Sequence, residues 1–235
     1  MRLLLLSNSK NYGSGYLEHA EDSIKSFLGR AVETVLFVPF AAVRVSYDEF
    51  AAAVAARFGE LGYRVESVHR QPDAAAAVAR AQAVVVGGGN TFHLLKQLYD
   101  TGLVAAIRAR ARSGAPYLGW SAGANVAGPS IRTTNDMPIV QPPSFEALGL
   151  VPFQVNPHYT DARIANHAGE TRAERLLEFI AANPGMPVVG LREGSTLRVE
   201  DGTIELLGEK SARVFVSGRE PSEHEPGPSL QFLMA

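Results

Sequence analysis

Short runs of uninterrupted apolar residues, each followed by a stretch of helical periodicity, constrain the fold of this chain more than any other feature. Arg2 to Ser7, Thr34 to Phe40, Ala83 to Val86 and Pro116 to Trp120 read as strands with little or no alternation, and Arg64 to His69 alternates. Strands apolar on both sides must be covered on both faces. Between them, Tyr16 to Leu28, Thr91 to Asp100 and Leu103 to Ser113 read as helices. Ser46 and Glu49 form a capping box, and Phe50, Val54, Phe58 and Leu61 follow on one helical face. Asp73 caps a further, alanine-rich helix. Strands alternating with helices of this length predict an α/β fold of three layers, a mainly parallel sheet between two layers of helices. In such a sheet the reacting groups gather at the carboxyl ends of the strands.

The second half is less regular. A strand is expected near Phe153 to Asn156, a helix over Thr171 to Asn183 and a strand over Pro187 to Leu191. Thr196 to Glu200 and Thr203 to Leu207 flank Asp201-Gly202 and predict a C-terminal β-hairpin. Ala212 to Ser217 is a further candidate strand. Residues 1–218 are expected to form a single α/β hydrolytic domain, and residues 219–235, rich in Pro, Glu, Ser and Gly, a loose tail.

Composition removes several classes of function. With 22 basic and 24 acidic residues, the surface offers no field for a nucleic-acid backbone. The absence of cysteine removes disulfides, thiolate metal sites and a cysteine nucleophile, and suits a cytoplasmic location. No apolar run reaches the length of a membrane span, and Leu3 to Leu6 is too short for a signal core. No metal-binding histidine motif is present, so neither metal nor cofactor is expected.

Gly119-Trp120-Ser121-Ala122-Gly123 follows an apolar strand directly and fits the G-x-S-x-G nucleophile elbow. A serine on so tight a turn is forced outward, and the Ala122 N–H at the start of the next helix can help bind an oxyanion. Gly87-Gly88-Gly89-Asn90-Thr91 ends the preceding strand without a phosphate-binding pattern, leaving an oxyanion hole or a tight turn as its role. Of the six histidines, His158 follows a strand and can reach the same rim, with His167 the second choice for the base. The orienting acid is Glu193, at the end of the Pro187 to Leu191 strand, or Asp136, which could instead organise its own loop.

These residues resemble peptidase E, the α-aspartyl dipeptidase family. The resemblance rests on Leu3 through Ser9, Val86 through Phe92, Gly119 through Asn125, Ile131 through Val140, Asn156-Pro157-His158 and Gly169 through Arg172, and it runs to about Phe215. It implies a fold similar to class I glutamine amidotransferases, which carry cysteine at the position of Ser121. It also implies a metal-independent serine peptidase acting on dipeptides with N-terminal aspartate. Ser121 would be the nucleophile, His158 the base, Glu193 or Asp136 the acid with Glu193 favoured, and Gly89 and Ala122 the oxyanion donors. Arg172, with Arg132 as the alternative, would bind the aspartate side chain, and Glu170 or Asn90 the free α-amino group. The chain departs from the family pattern at Leu191-Arg192-Glu193-Gly194-Ser195, where proline and asparagine-like neighbours are expected, and again in the tail. Rival readings are another small acyl or isoaspartyl hydrolase and a non-catalytic binding protein on the same fold. Monomer and homodimer are both compatible with the sequence.

Overall fold

The apolar runs form a parallel sheet: β1 (Arg2–Leu6), β2 (Thr34–Val38), β3 (Arg64–Ser67), β4 (Ala83–Val86) and β5 (Tyr117–Trp120) pair in the order β3-β2-β4-β5-β1. The structure is a computed structural model that describes residues 1–163 and 168–234. Leu3, Leu4, Leu5 and Leu6 are all fully buried, which requires cover on both sides. Each contributes roughly 2 kcal/mol by leaving water. Leu4 and Leu6 face α1 (Glu21–Leu28) and α2 (Tyr47–Glu60), whose Ile24, Phe27, Val54 and Phe58 fill that layer. Leu3 and Leu5 face the opposite layer, which includes α3 (Ala74–Arg80), α4 (Thr91–Asp100) and α5 (Leu103–Arg112). The Ser46–Glu49 capping box is formed in full, and Asp73 accepts from the Ala76 N–H.

The helix expected from Tyr16 is shorter than its periodicity suggests. Leu17 lies at φ 54°, a 3-10 turn covers Glu18–Ala20, and the α-helix starts at Glu21. The interruption lets Leu17 donate back to the Ser9 carbonyl and keeps the loop after β1 against the sheet rim.

After β5 come the short α6 (Ala122–Asn125), β6 (Gln154–Tyr159), α7 (Arg172–Ala182) and β7 (Val188–Arg192). The hairpin β8 (Thr196–Glu200) and β9 (Thr203–Leu207) then joins the main sheet antiparallel to β1, bringing it to seven strands. The β6 and β7 strands pair in parallel and open a second sheet, completed by β10 (Ala212–Phe215) and β11 (Ser222–His224) in the order β11-β10-β7-β6. One face of this sheet (Val155, Val189, Leu191, Val214) joins the large core; the other (Tyr159, Val188, Phe215) packs with Leu176 and Ile180 of α7.

The segment expected as a loose tail is folded. The β11 strand pairs with β10, Gly227 exchanges backbone hydrogen bonds with Leu206, and Leu230 and Leu233 are buried. Its few apolar residues fill a gap beside β9 rather than forming a core of their own, which hides their role from composition.

Candidate active site

In-register pairing brings three loops to one rim. Leu6 lies opposite Trp120 and Val86 opposite Gly119, so Ser7, Gly87 and Ser121 leave the carboxyl ends of β1, β4 and β5 side by side. Ser121 has φ 53° and ψ −115°, a backbone state costly for a residue with a Cβ. Its surroundings enforce the turn. A Cβ on Gly119 would lie 2.3 Å from the Gly123 carbonyl oxygen, and one on Gly123 would lie 2.2 Å from that of Val86. Only glycine permits these approaches, and Ser121 is thereby held outward at the head of α6.

His158 reaches Ser121 because β6 is irregular. The register with β7 shifts between Pro157 and Tyr159, and His158 takes φ 54°. Such a bulge re-aims one side chain without ending the strand. The His158 N–H donates to Ser7 Oγ (2.9 Å), and Ser7 donates to the Leu191 carbonyl (2.7 Å), so one buried hydroxyl ties together β1, the bulge and β7. Asn156 donates to the Thr133 carbonyl and to Asn135 Oδ1, both at 2.7 Å. Asn135 donates to the Pro157 carbonyl at 2.7 Å, closing the support beneath the histidine.

Ser121 Oγ lies 2.9 Å from His158 Nε2, and His158 Nδ1 lies 2.7 Å from Glu193 Oε1. A carboxylate can only accept, so Nδ1 carries the proton and Nε2 is free to accept from the serine hydroxyl. Glu193 sits on the turn after β7, where Gly194 has φ 90° and donates its N–H to Asn8 Oδ1 (2.8 Å). Both members remain open to solvent, with side-chain exposures of 40% for His158 and 51% for Glu193.

Asp136 is placed elsewhere. It accepts from the Thr91 N–H (2.7 Å), the Thr91 hydroxyl (2.6 Å) and Thr134 Oγ1 (3.2 Å), so it anchors the start of α4. Asn90 is occupied in the same way: it caps α4 by accepting from the His93 N–H and donates to the Met137 carbonyl. Among the described residues, the N–H groups of Gly89 and Ala122 have no acceptor. Gly88 packs against Ser121, since a Cβ there would lie 2.9 Å from the serine Cβ, and Gly89, at φ 140°, lies against the Ala41 carbonyl.

Arg172 begins α7 and is half-buried, and its Nη1 is sequestered with no hydrogen-bond partner among the described residues. Burial, with Arg175 nearby, pushes its guanidinium below the ordinary value. It lines a cleft with Thr160, Ala162, Gly169, Glu170 and Arg175, which opens two residues beyond His158. Glu170 is exposed in that cleft, 3.9 Å from Arg175. Arg132 instead lines a separate cleft with Arg108, Arg112 and Gln154. Gln154 starts the strand that carries His158, four residues away or roughly 13 Å of extended chain. Arg132 is therefore not brought to the site. His167 lies outside the described residues. Among the described residues, no cluster of His, Asp and Glu could hold a metal ion and no helix is long and apolar enough to cross a membrane.

Sequence reasoning assigned no role to Ser7 or Asn8, which hold the bulge and the Glu193 turn. The available signal was a pair of polar residues closing an otherwise apolar strand; the structure buries both. It also missed His19, whose two ring nitrogens are buried without partners among the described residues and which feels the charge of Glu193.

Residues 3–207 match the model of peptidase family S51. The chain is 52% identical over 235 residues to a peptidase E of Streptomyces coelicolor, covering 100% of this chain and 95% of that one. It is 50% identical over 233 residues to a peptidase E of Nostoc, covering 99% and 96%. A crystal structure of a peptidase from an acI-B1 actinobacterium superposes with a TM-score of 0.71 at 20% identity, covering 95% of this chain and 93% of that one. A structure described as a putative peptidase E from Listeria monocytogenes gives 0.65 at 22% identity, covering 88% and 98%.

Proposed function

The chain belongs to peptidase family S51, and from that premise we propose that it is a serine-type dipeptidase that removes N-terminal aspartate from Asp-Xaa dipeptides. The observation that carries the serine mechanism is the unbroken line from Ser121 Oγ through His158 to Glu193. Ser121 attacks the scissile carbonyl as His158 Nε2 takes its proton. Glu193 keeps the imidazole in the reactive tautomer and stabilises the imidazolium. The N–H groups of Gly89 and Ala122, which have no acceptor among the described residues, receive the oxyanion. Collapse of the tetrahedral intermediate breaks the C–N bond, and His158 returns its proton to the leaving amine. Water, activated by the same histidine, then hydrolyses the aspartyl ester and frees Ser121.

Arg172 supports the aspartate preference. A guanidinium nitrogen held out of water without a partner among the described residues is costly, and a substrate carboxylate would satisfy it. Glu170, in the same cleft, is the group suited to the substrate α-ammonium.

Hydrolysis of Asp-Leu, Asn-Leu, Glu-Leu and Leu-Leu without added metal tests the reading. Turnover confined to Asp-Leu, abolished in Ser121→Ala, is expected. Arg172→Ala should lower kcat/KM for Asp-Leu by roughly 10²-fold, the scale of one lost charged, hydrogen-bonded pair. Turnover of neutral esters or isoaspartyl peptides with no response to Arg172→Ala would replace this substrate class with a broader acyl hydrolase.

A further inference from the structure

Arg192 immediately precedes Glu193, and its side chain is only 18% exposed. Its Nη1 donates to Glu223 Oε2 (2.8 Å), to the Ser211 carbonyl (2.8 Å) and to Ser211 Oγ (3.0 Å). Its Nη2 donates to Glu223 Oε1 (2.9 Å) and to Asp161 Oδ2. The guanidinium also lies over the ring of Tyr159, 5.3 Å from its centroid, and Tyr159 neighbours His158. Asp161 in turn binds Arg213 of β10 (2.6 Å) and the Tyr159 hydroxyl (2.7 Å). Arg192 thus joins the strand ends that carry both the base and the acid to β10 and β11. Glu223 lies beyond residues 3–207, the stretch that matches the family model.

We propose that the C-terminal segment is a brace for the catalytic acid: Glu223 on β11 holds Arg192 in a bidentate pair, and Arg192 holds the Glu193 turn in register with His158. Glu223 and Arg192 are positioning residues in this scheme, which rests on the reading of Glu193 as the acid. The bidentate geometry fixes the guanidinium plane as well as its place, which a single contact would not. Glu193, half open to solvent, meets His158 Nδ1, and its turn is also held by the Asn8–Gly194 hydrogen bond and by the Ser195 N–H donating to the Arg192 carbonyl. The arrangement ties activity to a segment whose composition suggests no function. Burial alone would raise the Asp161 carboxyl, but its hydrogen bonds from Arg192, Tyr159 and Arg213 outweigh that and hold it below the ordinary value. Glu223 is held low chiefly by Arg192. All the charged groups of the brace are therefore ionised at neutral pH.

The test is steady-state hydrolysis of Asp-Leu by Glu223→Gln, Arg192→Gln, Glu193→Gln and the Glu193→Gln/Glu223→Gln double variant. Glu223→Gln and Arg192→Gln should each lower kcat roughly three- to ten-fold with KM nearly unchanged, the scale of a coupled pair in contact. In the Glu193→Gln background, Glu223→Gln should have no further effect on kcat, because the group it positions is gone. An unchanged kcat in Glu223→Gln, or an equal loss in both backgrounds, overturns the brace while leaving Glu193 as the acid. An unchanged kcat in Glu193→Gln overturns the assignment of the acid and the brace with it.

Discussion

Replacing each of the two candidate acids by its amide separates their roles, because the structure gives them different work. Asp136 accepts three hydrogen bonds, two from Thr91 at the first residue of a ten-residue helix. Asp136→Asn keeps the shape but removes the charge. Hydrogen bonds to a charged acceptor contribute about 1.5–3 kcal/mol each and neutral ones about 1, and the charge adds about 0.3–1 kcal/mol at a helix N-terminus. Discounting for partial exposure, a loss of about 2 kcal/mol follows. For a chain of this size that lowers Tm by roughly 4–8 °C. Among the described residues the Glu193 side chain makes one hydrogen bond, accepting from His158 Nδ1, on a half-exposed turn, so Glu193→Gln should leave Tm within about 2 °C. A glutamine that offers its amide to Nδ1 favours the wrong tautomer, and kcat should fall roughly 10²- to 10⁴-fold. Thermal melts and Asp-Leu kinetics on both variants decide the matter. Loss of kcat at unchanged Tm in Asp136→Asn, with full activity in Glu193→Gln, would refute the assignment.

Gly123→Ala would place a Cβ 2.2 Å from the Val86 carbonyl oxygen, so either the elbow or the end of β4 must move; kcat should fall at least about 10²-fold, and activity near wild type would show that the turn tolerates the shift. The Glu200 carboxyl, though raised by burial, is held below its ordinary value by Arg2 and Arg198. A depressed carboxylate contributes stability that is present above the unfolded value, near 4.5, and is lost as pH falls through the folded one. Urea midpoints at pH 6 and pH 3 should therefore differ less in Glu200→Gln than in wild type, and an equal difference would remove this pair from the acid response. Leu230→Ala, at a fully buried position in the last turn, should cost about 2–4 kcal/mol in denaturant unfolding, whereas a loose tail would lose nothing.

Much of the site was legible locally. A continuous apolar run of four or five residues bounded by turn residues reads as a strand buried on both faces, and β1, β4 and β5 follow from that rule. The elbow glycines reveal themselves because a sharp turn between strand and helix excludes a Cβ, and Ser121 is marked by standing between them. Glu193 was found because it follows a strand and His158 because it was expected to; strand ends share a rim in a parallel sheet, although His158 in fact lies within β6, at its bulge. Asp136 shows the limit of that logic. An aspartate close to the nucleophile in sequence is a reasonable third member until Thr91 claims it.

Up to Phe215 the sequence by itself determined most of the strands and helices, the three-layer class and the chemical identity of the nucleophile, because these depend on periodicity and on turns a few residues long. Tertiary structure alone decided how the pieces are aimed. The bulge that swings His158 toward Ser121 depends on Ser7, 151 positions away, and the Glu193 turn depends on Asn8, 186 positions from Gly194. The tail found its place because Leu230 and Glu223 meet partners contributed by other strands. Contacts between residues so far apart leave no period or local pattern in the chain. They are fixed only when the core closes and the strand ends come within hydrogen-bonding reach.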